Sequence, residues 1–260
     1  MEYNNHDLFD KRLKKPKVYR FTSTNEDVTV QQIQTYIVGK SSIRFNSPNI
    51  IALFINKSEK ELDQAISLYN SLIKPKVNKK EAFVLDEPST VQFYDYLEYI
   101  QTSIITLYSA IESLVNVLIP KEFEWEEVTT KGVKEIWDKS AIERWKPTSE
   151  KLTKILPKAL YIKSPNTFNY WSVFKEFEVL RNSIIHVKDE SLHHADNDKT
   201  IIGLLLNESV FKKIESAKNL ISDLAKLLPG HDEYPIMQTV EDLVPIVKES
   251  WEDLGFRRIE

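Results

Sequence analysis

The sequence predicts a mainly α-helical protein, with a smaller α+β region in residues 1–85. Two long segments, residues 89–119 and 168–188, carry apolar residues at steps of three and four, which is the spacing of one buried helical face. Glycine is scarce, at 5 of 260 residues, which disfavours long β-meanders and glycine-rich phosphate loops. We therefore expect an N-terminal α+β region of unknown role over residues 1–85 and a helical domain over residues 86–260.

The N-terminal region is predicted as a loose basic arm followed by short elements. Residues 1–15 are polar and charged. Alternation of apolar and polar residues predicts strands at 18–22 and 43–46. A helix is expected between them, within residues 28–38, and the short apolar run 49–56 predicts a further strand.

Helices are predicted from residue 58 onward. Residues 58–73 form a helical pattern in which Ser58 and Glu61 have the spacing of a capping box. Residues 74–88 hold two prolines and many charges, which indicates an exposed connection. The long helix 89–119 is expected to begin at an N-cap Ser89 and to stop before Pro120.

The rest of the chain continues the helical pattern. The three tryptophans in residues 122–147 are expected to pack short helices onto a bundle, and stacking on nucleobases is the alternative. The further predicted segments are a short helix at 148–160, the helix 168–188, a polar loop at 189–200, a helix at 207–228 and a final helix at 238–254.

The composition excludes several classes of protein. Cysteine is absent, which removes disulfides, thiol catalysis and cysteine-based zinc sites. No P-loop or dinucleotide fingerprint occurs, and no apolar run has the length of a membrane span. The formal net charge of −4 argues against a protein that coats nucleic acid through many phosphate contacts. We expect a cytoplasmic protein without a cofactor, a bound metal or a membrane segment.

Three polar residues, Arg181, Asn182 and His186, fall on the second half of the predicted helix 168–188. At about 100° per residue, Asn182 and His186 lie about 40° apart, whereas Arg181 lies about 140° from His186. They border the apolar stripe without lying in it. Arginine offers a charged planar donor fork for phosphate oxygens, and an imidazole exchanges protons near neutral pH. This combination favours phosphate-ester chemistry.

The stretch 181–186, RNSIIH, resembles the signature of the HEPN family (higher eukaryotes and prokaryotes nucleotide-binding domains), an arginine followed after four to six residues by a histidine. Four residues separate the two here, and Asn182 is one of the residues that commonly follow the arginine. Residues 108–116 are similar to the first long helix of HEPN domains, where an acidic residue often supports the site. Glu112 is that residue in this sequence. The resemblance covers about residues 89–230.

The resemblance implies a HEPN-like helical bundle and a metal-independent endoribonuclease of a prokaryotic defence or toxin–antitoxin system. It implies cleavage of RNA by 2′-hydroxyl attack, in a homodimer with a composite active site, with an antitoxin or other defence protein as a partner. The implied catalytic residues are Arg181, Asn182, His186 and Glu112, with Glu112 holding Arg181 across the helix pair. A HEPN subgroup controlled by modification has a tyrosine two residues after the histidine. Lys188 stands there, so that control is not expected.

Two other interpretations stay open. The first is a non-catalytic HEPN-type module that binds a nucleotide, RNA or a partner protein. The second is a helical scaffold with a coincidental motif, in which Arg181 and Glu112 form an ordinary ion pair. A metal site at His193, His194, Asp196 and Asp198 is disfavoured, because adjacent residues on a polar loop rarely converge on one ion.

Overall fold

The computed structural model describes residues 10–14, 17–21, 27–77, 83–187, 197–227 and 256–257. Over these residues the chain is mainly helical, as predicted, with small antiparallel sheets. None of the helices in the described ranges is long and apolar enough to cross a membrane. The chain divides into two compact units, one formed by Met1–Leu53 with Ser222–Glu260 and the other by Phe54–Ile221. Residue 85, the end of the predicted N-terminal region, falls within the second unit, and the division of the chain into those two regions stays a prediction.

The described part of the first unit contains antiparallel strands. Strand β1 (Lys17–Phe21) pairs with β2 (Asp27–Val30) on one side and with Phe256–Arg257 on the other. Strands β3 (Ile33–Val38) and β4 (Ser41–Asn46) form a separate hairpin. Gly39 makes its turn with a φ of 63°, a left-handed value that glycine adopts without strain.

The helix expected within residues 28–38 is wrong, because this segment contributes β2 and β3. Its sequence, VTVQQIQTYIV, is rich in β-branched residues, which favour the pleated conformation. The strands expected at 18–22 and 43–46 are confirmed as β1 and β4, with shifted ends.

The strand expected at 49–56 is also wrong, since these residues begin helix α1 (Ile50–Leu68). The Asn49 side chain caps it, with Oδ1 accepting the backbone N–H of Ala52 at 3.1 Å. Ser58 therefore lies inside the helix rather than at its start. It is buried, and its hydroxyl donates to the Ser103 carbonyl at 2.9 Å. The helix continues through a π-helical turn at Tyr69–Ile73 and a last turn, α2 (Lys74–Val77).

The long helix α3 (Glu87–Leu118) is the centre of the second unit. Its cap is Asp86, whose Oδ1 accepts the Ser89 N–H at 3.0 Å, so the expected cap at Ser89 is off by three residues. A continuous buried face packs against α7 (Trp171–Ile185) and α8 (Ile201–Leu206). That face contains Tyr96, Ile100, Ile104, Leu107, Ile111, Leu114 and Leu118.

Between α3 and α7 the chain forms a hairpin and several short helices. Strands β5 (Trp125–Val128) and β6 (Lys134–Trp137) place Trp125 opposite Trp137, so these two tryptophans are not on short helices as expected. Trp145 does end a short helix. The helical elements here are α4 (Lys139–Trp145), α5 (Thr148–Glu150), a π-helical turn Lys151–Ile155, α6 (Leu156–Leu160) and a 3₁₀ turn Pro165–Thr167.

The last helix of the described ranges is α9 (Ser209–Leu227), which confirms the helix predicted at 207–228. A 3₁₀ turn at Asn197–Lys199 precedes α8. Most of the predicted loop 189–200 and the whole predicted helix 238–254 lie outside the described residues, and so does the greater part of the predicted arm 1–15.

Candidate active site

Helix α7 carries the Arg-Asn…His motif at its C-terminal end. The helix ends at Ile185, so His186 is its C-cap residue and not part of the helix proper. The backbone N–H of His186 still donates to the Asn182 carbonyl at 2.8 Å. This bond keeps His186 one turn beyond Asn182, on the side that the helical spacing predicted.

The two sides of α7 differ sharply in burial. Phe174, Phe177 and Leu180 are buried, and the two phenylalanine rings lie 6.2 Å apart, centroid to centroid. Asn182 and His186 are exposed. The motif therefore presents these two side chains to solvent from a helix whose opposite side is fixed by core packing.

Arg181 lies between the two sides and is half-buried. Its guanidinium carbon is 4.4 Å from the centroid of the Tyr108 ring of α3, within cation–π distance. Its Nη1 donates to Asn182 Oδ1 at 3.0 Å, and its Nε is buried without a hydrogen-bond partner in the described structure. The ring and the amide thus fix the cation, and no described carboxylate pairs with it.

Tyr108 is itself held by Glu178. The Tyr108 hydroxyl donates to Glu178 Oε1 at 2.9 Å, and Lys175 Nζ bonds the other carboxylate oxygen. Glu178 is only 7% exposed. Burial raises the pKa of Tyr108, and the nearby charge of Glu178 raises it further, whereas Arg181 lowers it. The phenol therefore stays a neutral hydrogen-bond donor beside the arginine.

No hydrogen bond or ion pair joins Glu112 to Arg181 in the described structure, so the holding role that the resemblance implies for Glu112 is not seen. Its charge acts instead on Lys151, which is 1% exposed and donates to Asn116 Oδ1 and to the Glu143 carbonyl, each at 2.8 Å. Burial lowers the pKa of Lys151, and the charges of Glu112 and Glu143 oppose that shift.

The different partner of Glu112 follows from the helix spacing of α3. Tyr108, Glu112 and Asn116 follow one another at four-residue steps along α3. Arg181 lies at the level of Tyr108, and Lys151 bonds to Asn116. Two cations, Arg181 and Lys151, therefore lie along α3, and the charge of Glu112 acts on Lys151.

Sequence reasoning missed Tyr108 and Glu178 as site residues. Tyr108 starts the segment that carries the family resemblance, but the resemblance assigns a role only to Glu112 of that segment. Glu178 lies three residues before Arg181, and its signal was a carboxylate interrupting the apolar stripe between Phe177 and Leu180. A buried carboxylate needs a donor or a cation, and here it has Tyr108 and Lys175.

The imidazole of His186 makes no hydrogen bond within the described residues. No group of three potential metal ligands occurs in the described ranges either. Of the disfavoured metal set, His193, His194 and Asp196 lie outside those ranges.

The arrangement combines a fixed cation with an exposed proton-transfer group on one helix end. Such a pair can bind a phosphate oxygen through Arg181 and move a proton through His186. No protein-family model matches the sequence, and comparisons with curated proteins and with solved structures find no match.

Proposed function

We propose that this chain is a cytoplasmic, metal-independent endoribonuclease of the HEPN type, acting in a prokaryotic defence or toxin–antitoxin system. A helical architecture and the motif at the end of α7 support the proposal. The partner protein that would restrain or trigger the enzyme, an antitoxin or another defence protein, is part of the same proposal.

The observation that carries the proposal is the environment of Arg181. This guanidinium rests on the Tyr108 ring and bonds the Asn182 amide, and no described carboxylate forms an ion pair with it. Its charge is therefore not neutralised by a described acid. A planar cation held in this way is suited to bind the non-bridging oxygens of a phosphodiester.

His186 supplies the second requirement of the reaction. In RNA cleavage the 2′-hydroxyl attacks the adjacent phosphorus, and the bond to the 5′ oxygen breaks. One imidazole accepts the 2′-hydroxyl proton, and a protonated imidazole donates a proton to the leaving 5′ oxygen. The products are a 2′,3′-cyclic phosphate and a 5′-hydroxyl, and no metal ion or water is consumed.

A single chain supplies one such histidine, so the proposal includes a homodimer with a composite cleft. Three apolar side chains near the motif, Val179, Ile185 and Val187, are exposed. Exposed apolar residues beside polar functional groups are typical of an interface between chains. Pairing two copies there would also bring two Arg181 cations to one groove.

The test is cleavage of total RNA by the purified protein in EDTA, with analysis of the product ends. Wild type is expected to give cyclic phosphate and 5′-hydroxyl ends. His186→Ala is expected to lower the rate about 10²- to 10⁴-fold, because a proton-transfer group is lost. Arg181→Lys is expected to lower it about 10²-fold, because an ammonium does not reproduce the planar fork.

Two controls make the result decisive. His186 is exposed, so the thermal midpoint of His186→Ala should match wild type, which separates lost chemistry from lost folding. DNA of the same sequence should resist cleavage, because it has no 2′-hydroxyl. Cut DNA, or equal cleavage by wild type and by folded His186→Ala, would contradict the mechanism. RNA binding without cleavage would favour the non-catalytic module.

A further inference from the structure

A short segment of the second unit is strongly basic in an acidic protein. Residues 144–163 contain six cationic side chains and one carboxylate, Glu150, although the whole chain has a formal net charge of −4. Such a local excess attracts polyanions at ordinary ionic strength. The six cations are Arg144, Lys146, Lys151, Lys154, Lys158 and Lys163.

Half of these cations are exposed and not paired with any described carboxylate. Arg144 lies over the ring of the adjacent Trp145, at 4.8 Å, and Lys158 lies over the ring of Trp125, at 5.0 Å. Lys163 is exposed as well. The other three are engaged within the protein: Lys146 with Glu127, Lys154 with Glu150, and Lys151 in its buried site.

The β5–β6 hairpin brings the two ends of this segment together. Trp125 and Trp137 are cross-strand neighbours, with Lys158 over the first ring and Lys146 over the second, the latter at 4.1 Å. The pKa of Glu127, on the same hairpin, is lowered mainly by its hydrogen bond from Lys146 and also by the charge of Lys154. The end of α4 and the start of α6 thus lie against one hairpin.

Two aromatic side chains in this segment are largely exposed. Trp145 is 64% exposed and Tyr161 is 96% exposed. Tyr161 has φ 55° and ψ 38°, the left-handed conformation that closes α6, where the Ile162 N–H donates to the Pro157 carbonyl at 3.1 Å. Glycine is the usual residue at this position, and a side chain there is strained. Glycine would serve the fold at least as well, so the fold does not require an aromatic ring at 161.

The segment is also anchored beside the candidate active site. Lys151 bonds to Asn116 of α3 and is coupled to the charge of Glu112. Thr148 is buried, and its side-chain hydrogen bond with Tyr108 lowers the pKa of that phenol, whose ring holds Arg181. The basic segment therefore begins next to the groups proposed to cleave RNA.

We propose that Arg144, Trp145, Lys158, Tyr161 and Lys163, the basic-aromatic surface, bind single-stranded RNA. The rings stack on unpaired bases, and the cations contact the phosphates between them. Charge complementarity points to a polyanion, and exposed rings beside cations suit unpaired bases rather than a duplex, whose bases are already stacked. The inference rests on the proposed RNA substrate and names the surface that holds it.

The test measures the binding of a fluorescent, mixed-sequence single-stranded RNA by anisotropy. A length of about 20 nucleotides is enough to cover the site sizes usual for proteins that bind single strands. Every variant carries His186→Ala, so that the RNA is not cut during the measurement. Tyr161→Gly is expected to weaken binding about tenfold, because one base–ring stack is lost. Its thermal midpoint should equal or exceed that of the parent, because the strained position is relieved. Tyr94→Ala, at an exposed tyrosine of α3, is the matched control and should bind like the parent.

The contribution of the cations to RNA binding is measured with a variant in which two lysines are replaced by glutamate. Lys158→Glu with Lys163→Glu should weaken binding and flatten its dependence on salt concentration, because fewer counterions are released. Lys60→Glu with Lys212→Glu changes the net charge equally at exposed positions outside the surface, and it should have a much smaller effect.

The outcomes separate this inference from the proposed function. Weaker binding by Tyr161→Gly supports the surface even if the His186-intact protein cuts no RNA. Metal-independent cleavage together with unchanged binding by both surface variants would overturn the surface and leave the nuclease standing. Equal affinity for a duplex RNA, preference for an acidic polypeptide, or no RNA binding by the parent would also overturn it.

Discussion

The two sides of helix α7 differ in how far the chain itself fixes them. On the inner side Phe177 is fully buried, and Glu178 bonds Tyr108 and Lys175. On the outer side the Asn182 amide bonds only Arg181, and the His186 imidazole has no hydrogen bond in the described structure. One side of this 15-residue helix is therefore fixed by core packing and hydrogen bonds, and the other side carries a histidine without a hydrogen-bond partner among the described residues.

Because of this difference, the two charged or titratable side chains of the motif, Arg181 and His186, are held in different ways. Arg181 is positioned by groups of the inner side, through the ring of Tyr108, and needs no other molecule to hold it. The imidazole of His186 has no such anchor among the described residues. A preorganised cation beside a proton-transfer group that is oriented on binding is consistent with a site completed across an interface.

The largest loss of stability is expected for Phe177→Ala, on the inner side of α7. The ring is fully buried against Phe174 and Tyr108, so its removal leaves a cavity. The free energy of unfolding is expected to fall by about 3–5 kcal/mol, measured by urea titration with tryptophan fluorescence. Val179→Ala, on the outer side, should change it by less than about 0.5 kcal/mol. Equal losses at both positions would contradict the division between the two sides.

Glu178→Ala should give an intermediate effect. It leaves the buried Tyr108 hydroxyl without its acceptor and Lys175 without its carboxylate, which is expected to cost about 1–3 kcal/mol. Glu176→Ala is the matched control on the same helix, because Glu176 is exposed and its ion pair within the described residues, with Lys213, is 3.5 Å long. That control should lose less than about 1 kcal/mol. A similar loss in both variants would show that the Tyr108–Glu178 bond contributes little.

The smallest effect on the free energy of unfolding is expected at alkaline pH, where the phenol of Tyr108 titrates. Burial raises the pKa of Tyr108 above its ordinary value of 10.0. Above about pH 10 the unfolded chain then releases a phenol proton that the native protein keeps, so stability present below that pH is lost as the pH rises. Each such tyrosine contributes a slope of up to about 1.4 kcal/mol per pH unit. In urea titrations between pH 9 and 11, Tyr108→Phe should show a shallower decline than wild type. An equal decline would mean that Tyr108 ionises in the native protein as it does in the unfolded chain.

Long periodic segments were predictable from the sequence. Seven apolar residues at helical spacing mark α3, and α7 and α9 carry similar stripes, so their presence and approximate ends follow from the pattern. The order of polar groups at the end of α7 was also predictable, because helical spacing places Asn182 and His186 on one side.

Short segments were predicted less well. The apolar run 49–56 fits a strand or a helix equally by hydrophobicity, and Asn49 as a helix cap was the neglected signal. In residues 28–38, where a helix was expected, pairing with neighbouring strands favours the β conformation. The cap at Asn49 is a local signal, whereas the strand pairing of residues 28–38 depends on contacts with other parts of the chain.

The sequence by itself determined the mainly helical class, the absence of thiol chemistry and the presence of Arg181, Asn182 and His186 at one helix end. Only the tertiary structure decided the partners: Tyr108 rather than Glu112 beside Arg181, and Lys151 beside Glu112. Local spacing fixes which residues share a face of one helix, because the backbone geometry repeats. Which residue of another helix they meet depends on packing between distant segments, and no local pattern encodes that level of contact.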